Sequence, residues 1–260
     1  VLKKVLSVLG VYKVYEKWLW YQLKNYEKPE HVAIILDGNR RWASEQEVNP
    51  WLGHKKGAET VEQLLDWCEN LGVKSVTLYA FSTENFRRTH EEVQKIMQIA
   101  EEKFRKLLTD ERIHRNKVHV KVIGRVSLLP DSLQGLIREV EEATADYDNQ
   151  FLNFAFAYGG RAEIVDAAKV IAEKVKNGEL NIDDVNESTF EKYLYTSHMP
   201  NQEPDLIVRT SGEERLSGFL LWQAAYSELC FLDVYWPDFR LIDLLRAFRT
   251  FQRRKRRYGA

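Results

Sequence analysis

Cysteine is scarce in this chain, with two in 260 residues, Cys68 and Cys230, far apart and in apolar surroundings. Both are expected as reduced core residues, and neither a disulfide framework nor a cysteine metal site is expected. Long apolar runs are missing, since no stretch approaches the ~20 residues a membrane-spanning helix needs. An excess of one charge is missing too: 38 Lys and Arg stand against 39 Asp and Glu, so the molecule has no global field for polyanions. The start lacks a secretory pattern, because Lys3, Lys4, Lys13, Glu16 and Lys17 interrupt it and no small-residue cleavage site follows; a cytoplasmic location is expected. No P-loop spacing and no Gly-x-Gly-x-x-Gly after a strand is found, which removes the common nucleotide folds.

The hydrophobic fraction of 44% is ordinary for a globular chain with a real core. From Pro29 onward apolar periodicity alternates between strand and helix. Strands are expected at His31–Leu36, Val73–Phe81, Val118–Ile123, Phe151–Ala157, Asp205–Arg209 and Leu229–Val234. Helices are expected at Thr60–Leu71, Val93–Leu108, Ser132–Thr144, Ala162–Val175, Thr189–Tyr195, Phe219–Tyr226 and Phe239–Arg253. Such alternation implies an α/β fold, a central, mostly parallel sheet flanked by helices. Residues 1–28 form an N-terminal amphipathic helix ahead of one domain over 29–260. That helix carries Leu2, Val5, Leu6, Leu9 and Tyr12 at helical spacing, with Trp18, Trp20 and Tyr21 crowding its end. Two fates stay open for it: docking on the body, or peripheral contact with the cytoplasmic membrane face.

Polar clusters fall where strands end. Asp37-Gly38-Asn39-Arg40-Arg41-Trp42 follows the first strand, Ser82-Thr83-Glu84-Asn85-Phe86-Arg87-Arg88 the second, Tyr158-Gly159-Gly160-Arg161 the fourth, and Arg209-Thr210-Ser211-Gly212-Glu213-Glu214-Arg215 the fifth. Open parallel sheets bind ligands beyond the carboxyl ends of their strands. Arginine grips phosphate oxygens in pairs, and a lone carboxylate beside it suits Mg²⁺. Together these suggest a diphosphate substrate. Gly53-His54-Lys55-Lys56-Gly57 either just begins a helix or offers phosphate a helix N-terminus. The basic run Arg253–Arg257 is a solvated tail or a nucleic-acid patch; nucleic acid is not the expected partner.

These motifs, with Leu78–Phe86, Asn153–Arg161, Asp205–Thr210, Leu220–Glu228 and Tyr235–Phe239, resemble the cis-prenyltransferases, the undecaprenyl and dehydrodolichyl diphosphate synthase group, from His31 to Gly259. The resemblance implies a parallel sheet with a deep apolar tunnel, a homodimer, and a Mg²⁺-dependent reaction. That reaction adds isopentenyl diphosphate repeatedly to an allylic diphosphate, farnesyl or geranylgeranyl, to give a long polyprenyl diphosphate, the precursor of a glycosyl carrier lipid. It implies that Asp37 and Asn85 are catalytic, Asp37 as a Mg²⁺ ligand and Asn85 in proton removal or in placing the homoallylic substrate. Gly38, Asn39, Arg40, Arg41, Trp42 and His54 would hold the allylic diphosphate. Ser82, Thr83, Glu84, Phe86 and Arg88 would form the substrate loop. Arg209, Arg215, Leu216 and Ser217 would hold isopentenyl diphosphate, and Glu228 would be the second Mg²⁺ carboxylate. Arg257 and Gly259 resemble a terminal Arg-x-Gly motif that reaches a neighbouring active site. Arg40 resembles the archaeal and eukaryotic branches, and Pro50 stands where bacterial members commonly have an arginine, a loss Arg40 is expected to offset. A non-catalytic partner subunit is the alternative, although such scaffolds usually lack the Asp-Gly-Asn run that this chain keeps.

Overall fold

The computed structural model describes residues 11–23 and 27–254. Six strands, β1 (His31–Ile35), β2 (Ser75–Ser82), β3 (Val118–Ile123), β4 (Gln150–Tyr158), β5 (Leu206–Arg209) and β6 (Glu228–Phe231), form one sheet in the order β3-β4-β2-β1-β5-β6. Every neighbouring pair is parallel. β1 is buried along its whole length, as a central strand covered on both faces must be.

Helices α1 (Val11–Leu23), α2 (Asn39–Glu45), α3 (Pro50–Leu71), α4 (His90–Leu107), α5 (Glu111–Arg115), α6 (Asp131–Ala143), α7 (Gly160–Lys176), α8 (Glu187–Glu191) and α9 (Leu241–Arg253) make the crossovers and the covering layers. The larger core lies where α3, α4, α6 and α9 cover the sheet, with Leu64, Phe104, Leu133, Ile137, Trp236 and Phe248 buried in it. A smaller cluster on Ala33, Tyr79, Tyr158, Ile207 and Phe219 fills the other face, where the Tyr79 and Phe219 rings stack with centroids 4.7 Å apart.

Several elements depart from the sequence expectation. α3 begins ten residues earlier than its apolar periodicity shows, because Asn49 caps it by accepting the Trp51 N–H at 3.3 Å and Pro50 suits the first turn. The Gly53–Gly57 run is therefore inside a helix and not at its N-terminus. The expected helix Phe219–Tyr226 is a chain of turns, since Ser217, Gly218 and Leu220 all have positive φ, which an L-residue helix cannot accommodate.

The N-terminal helix docks on the body. Leu19 and Leu23 are buried against α9, and Arg246 and Arg249 lie over the Tyr15 and Trp18 rings at 5.4 and 4.6 Å. Val14, Trp18, Trp20 and Tyr21 stay exposed. The expected features of residues 1–10 lie outside the described residues.

On the smaller-core face, buried His31 and half-buried His198 stabilise the sheet as neutral rings. His31 Nε2 lies 2.8 Å from Thr77 Oγ1, and His198 Nε2 lies 2.7 Å from Asn153 Oδ1. Desolvation lowers both pKa values to about 4 from 6.5. Below pH 6.5 the unfolded chain takes up these protons first, so stability falls as pH drops from 6.5 toward 4 and these groups change nothing above 6.5. Denaturant midpoints measured at pH 8, 6.5, 5 and 4 will show that decline, and His31→Gln with His198→Gln will flatten it.

Candidate active site

Because all six strands run the same way, the carboxyl ends of β1, β2, β4 and β5 meet at one edge, and so do the polar clusters that follow them. Asp37 sits two residues beyond β1. Its Oδ2 accepts from Arg209 Nη2 at 2.8 Å, and its Oδ1 lies 3.4 Å from Arg41 Nη2. Ile35 and Arg209 are register partners in neighbouring strands, so the sheet itself sets this pair. Burial acts to raise the Asp37 pKa, but hydrogen bonds and charge from Arg209, with Ser211 and Arg41, outweigh it and hold the carboxyl below its usual range. Asp37 is an anion at neutral pH.

Arg209 is almost fully buried, donates from Nη1 to Ser217 Oγ at 2.8 Å and to the Arg215 carbonyl, and has Nε without a partner. Arg41 donates to Ser211 Oγ at 2.5 Å and to Glu213 Oε1 at 3.1 Å, and Arg215 pairs with the other oxygen of Glu213 at 2.5 Å. Leu216 packs partly buried on the smaller core. Asp37, Arg41, Arg209, Arg215 and Ser217 thus form one basin rich in guanidinium donors.

A second basin gathers on Glu92, a buried carboxylate at the start of α4. Its Oε1 takes Arg88 Nη1 at 3.2 Å and His54 Nε2 at 3.2 Å, and Arg40 Nε lies 3.7 Å away. Burial and the Arg88 charge lower the His54 pKa, so this imidazole is neutral at neutral pH. The Asp37 charge also acts on Arg88, so the two basins lie within electrostatic reach of each other. Glu92 was not singled out by the sequence, and Glu213 was placed in the cluster after the fifth strand without a role of its own. Their signals were there, in the helical spacing of Arg88 and Glu92 and in a glutamate between Arg209 and Arg215.

Glycines let these parts close up. Gly38 adopts φ +104 at the entry to α2, where a Cβ would lie 2.8 Å from the Tyr235 ring and 3.1 Å from Ser211. A Cβ on Gly53 would lie 2.1 Å from the Asn39 carbonyl, and one on Gly57 would lie 2.3 Å from Asn39 Oδ1. Trp236 locks the same corner, donating from Nε1 to the Gly57 carbonyl at 2.8 Å and from its N–H to the Asp37 carbonyl at 3.0 Å. The Gly53–Gly57 face is thus explained by close helix packing, with His54 as its contribution to the site. Trp42 is half-buried on α2 beside the basin.

The loop after β2 is a short 3-10 turn, Thr83–Arg87. Asn85 caps it, its Oδ1 accepting the Ser82 N–H at 3.1 Å while Ser82 accepts from the Asn85 backbone. Thr83 closes on Gly159, where a Cβ would lie 3.0 Å from Thr83 Oγ1, and Glu84 is exposed. Phe86 packs edge-on to Phe81 at 4.9 Å.

One expected partner is not brought in. Glu228 is in register with Leu206, which is in register with Val32. That places it at the amino ends of the strands, about 16 Å along the sheet from Asp37 at ~3.3 Å per residue. Its carboxylate pairs with Arg254 at 3.0 Å. The expectation of Glu228 beside Asp37 is not met in this chain, because the parallel register separates them. Arg257 and Gly259 lie outside the described residues.

An apolar cavity opens behind the two basins. It starts at Leu36, Asn39 and His54 and passes between α3, α4 and the sheet, past Val61, Leu65, Ile96, Ala100, Phe104 and Phe154. The stretch of α3 from His54 to Cys68, both on its wall, is about 21 Å long at 1.5 Å per residue. The space open to the centre of a water-sized sphere is about 190 Å³, an order of magnitude beyond a single-water void. Burial pushes the Cys68 thiol up to about 12, so it is an inert wall residue.

Residues 35–259 match the family described as "Putative undecaprenyl diphosphate synthase". Relatives similar to the chain include the tritrans,polycis-undecaprenyl-diphosphate synthase (geranylgeranyl-diphosphate specific) of Methanopyrus kandleri, 54% identical over 97% of this chain and 93% of its own length. Its namesake from Pyrococcus abyssi is 53% identical over 95% and 93%. Among solved structures, lavandulyl diphosphate synthase from Lavandula x intermedia, in complex with dimethylallyl diphosphate, aligns with TM-score 0.86 and 38% identity over 90% of this chain and 99% of that one. A probable undecaprenyl diphosphate synthase from Campylobacter jejuni aligns with TM-score 0.72 and 30% identity over 90% and 100%. Fold and site define a prenyltransferase of the cis class. The chain belongs to the undecaprenyl diphosphate synthase family and is of its archaeal type.

Gly53→Ala puts a methyl group against a backbone carbonyl that cannot move without α2. A loss of about 1–3 kcal/mol of stability is expected, as for other overpacked sites, with weaker diphosphate binding; urea unfolding and pyrophosphate calorimetry check both.

Proposed function

We propose that this enzyme elongates an allylic prenyl diphosphate with isopentenyl diphosphate, leaving a cis double bond at each addition. The observation that carries this reading is a long apolar cavity that begins at Leu36, Asn39 and His54, next in the chain to Asp37 and in contact with the Glu92–Arg88 basin through His54. A molecule with a polyanionic head and a hydrocarbon tail fits that junction, and few other ligand classes do.

In this reading Arg40, Arg41 and Arg88, with the Asn39 and His54 corner, hold the allylic diphosphate, while the tail lies along Val61, Leu65 and Ala100. Arg209, Arg215 and Ser217 hold isopentenyl diphosphate. Arginines already fixed by Asp37, Glu213 and Glu92 meet the negative charge that grows on the leaving oxygens without first reorganising, which is the largest single term in many active sites. The apolar walls keep water from the allylic cation. Neutral His54 donates its ring N–H to an oxygen of the departing diphosphate. Asn85, bound to its own turn through Oδ1, organises the substrate loop and leaves proton removal to a phosphate oxygen.

Mg²⁺ fits this site. Among the described residues no three His, Cys, Asp or Glu side chains come together, so there is no all-protein cage. Mg²⁺ commonly takes one or two carboxylates with substrate phosphates and water. Asp37 is such a carboxylate, and the ion would neutralise charge on the diphosphate.

The starter is read as geranylgeranyl diphosphate in preference to farnesyl diphosphate, supported by the names of the relatives above. The product is a long polyprenyl diphosphate, precursor of a glycosyl carrier lipid. The enzyme works as a homodimer, with the terminal Arg257 and Gly259 completing a neighbouring site. It lies in the cytoplasm against the membrane face, through Val14, Trp18 and Tyr21, which share one exposed stripe of α1 beside Lys13 and Lys17.

Purified protein supplied with labelled isopentenyl diphosphate and each starter in turn will make long chains when Mg²⁺ is present, most efficiently from geranylgeranyl diphosphate. Asp37→Asn will lower turnover by roughly 100-fold or more, on the scale of other lost preorganised charges. An inactive wild-type protein that revives only with a second chain would establish the partner-subunit alternative. Trp18→Ser with Tyr21→Ser will reduce sedimentation with anionic vesicles and leave turnover in solution unchanged; equal sedimentation counts against membrane contact.

A further inference from the structure

The tail cavity changes character at its far end. Along most of its length the wall is apolar. At the amino ends of the strands it meets Asp66, Lys74, Asp110, Arg112, Asn116 and Gln150. Arg112 dominates this rim. Its Nε and Nη2 grip Asp110 at 3.0 and 2.6 Å, and its Nη1 pairs with Asp66 on α3. Asp110 also caps α5 by accepting the Arg112 N–H at 3.0 Å, so backbone and guanidinium are fixed by one carboxylate. The bridge therefore spans the far rim from α5 to α3. Alongside it, Glu62 on α3 takes Lys103 at 2.9 Å and Lys106 at 2.6 Å from α4, which seals the seam between those helices.

We propose that the Arg112 bridge to Asp66 and Asp110 is a gate at the far end of the tail cavity and sets how many isoprene units the product acquires. The inference rests on the prenyl-elongation reading. A growing tail gains by each apolar contact until its tip reaches this rim. There the next unit must either displace a guanidinium held by two carboxylates or lie against charged groups that keep their water. Either way the gain per unit vanishes at this point and elongation stops. The groups are one-eighth to one-half exposed, so the bridge can open, and the stop is a bias on length and not a wall.

The test is product chromatography with the full-length enzyme and geranylgeranyl diphosphate. Arg112→Leu makes the rim apolar and is expected to lengthen the main product by one or more isoprene units. Asp66→Asn removes one anchor and shifts it less in the same direction, and Arg112→Lys, which keeps the charge but cannot fork between both carboxylates, falls between wild type and Arg112→Leu. High salt lengthens the wild-type product and leaves that of Arg112→Leu unmoved, a response that a purely steric floor would not give. The first condensation, far from the rim, keeps its rate in all three variants. If Arg112→Leu fails to fold, Asp66→Asn and the salt series decide the matter. Wild-type product lengths in active Arg112→Leu, or in Asp66→Asn, with no salt response overturn the gate, and longer products from Phe104→Ala alone would place the stop at that ring. A wild-type enzyme that makes no polyprenyl chain from any starter would instead sink the prenyl-elongation reading.

Discussion

The pair between Asp37 and Arg209 governs the whole site. It ties the loop after β1 to the end of β5, two adjacent central strands in fixed register. Arg209 is nearly sealed from solvent, and a guanidinium there must keep its counter-charge. Thr210 reinforces the pairing, with its hydroxyl donating to the Asp37 carbonyl at 2.7 Å. A carboxylate and a nearly buried arginine are thus held together by the same register that holds the sheet, which is the pairing the proposed Mg²⁺ and diphosphate roles need.

Counter-charge is also the rule around that pair. Glu213 sits between Arg41 and Arg215, and Glu92 among Arg40, His54 and Arg88. So many cations at one edge would repel one another if left alone. Each internal carboxylate cancels part of that repulsion and aims the arginines it holds. In the proposed reaction a diphosphate head would meet guanidiniums already oriented, at the cost of a weaker grip per arginine.

Much of this was legible in the chain. Strand–helix alternation gave the parallel sheet, and clusters following strands gave the edge, because a parallel sheet has just one carboxyl edge. What failed did so for physical reasons. The start of α3 was hidden because Pro50, Gly53 and Gly57 carry no apolar periodicity, although Asn49 and Pro50 are a good helix entry. The turns at Phe219–Tyr226 read as a helix because apolar residues there follow a helical spacing, and positive φ at Leu220, and just before it at Ser217, has no sequence signature. Glu92 fell just outside the expected helix Val93–Leu108, because the first turn from His90 carries no apolar periodicity. Glu228 was carried over by resemblance, and strand register, which no motif records, puts it at the other end. The docking of α1 rests on Leu19 and Leu23, whose spacing alone could not choose between protein and lipid.

A sheet whose strands all point one way gives the molecule a head and a foot. Ionic chemistry gathers at the head. The foot is where the cavity ends and the N-terminal segment passes, with Lys28 Nζ donating to the Leu71 carbonyl at 3.1 Å and Gln252 to the Glu27 carbonyl at 3.0 Å. A two-part ligand of the proposed kind would be oriented along the strand direction, its water-seeking half at one pole and its oily half toward the other. Whatever the foot rests on, an oily surface included, leaves the head facing water and open to the next small, soluble building block.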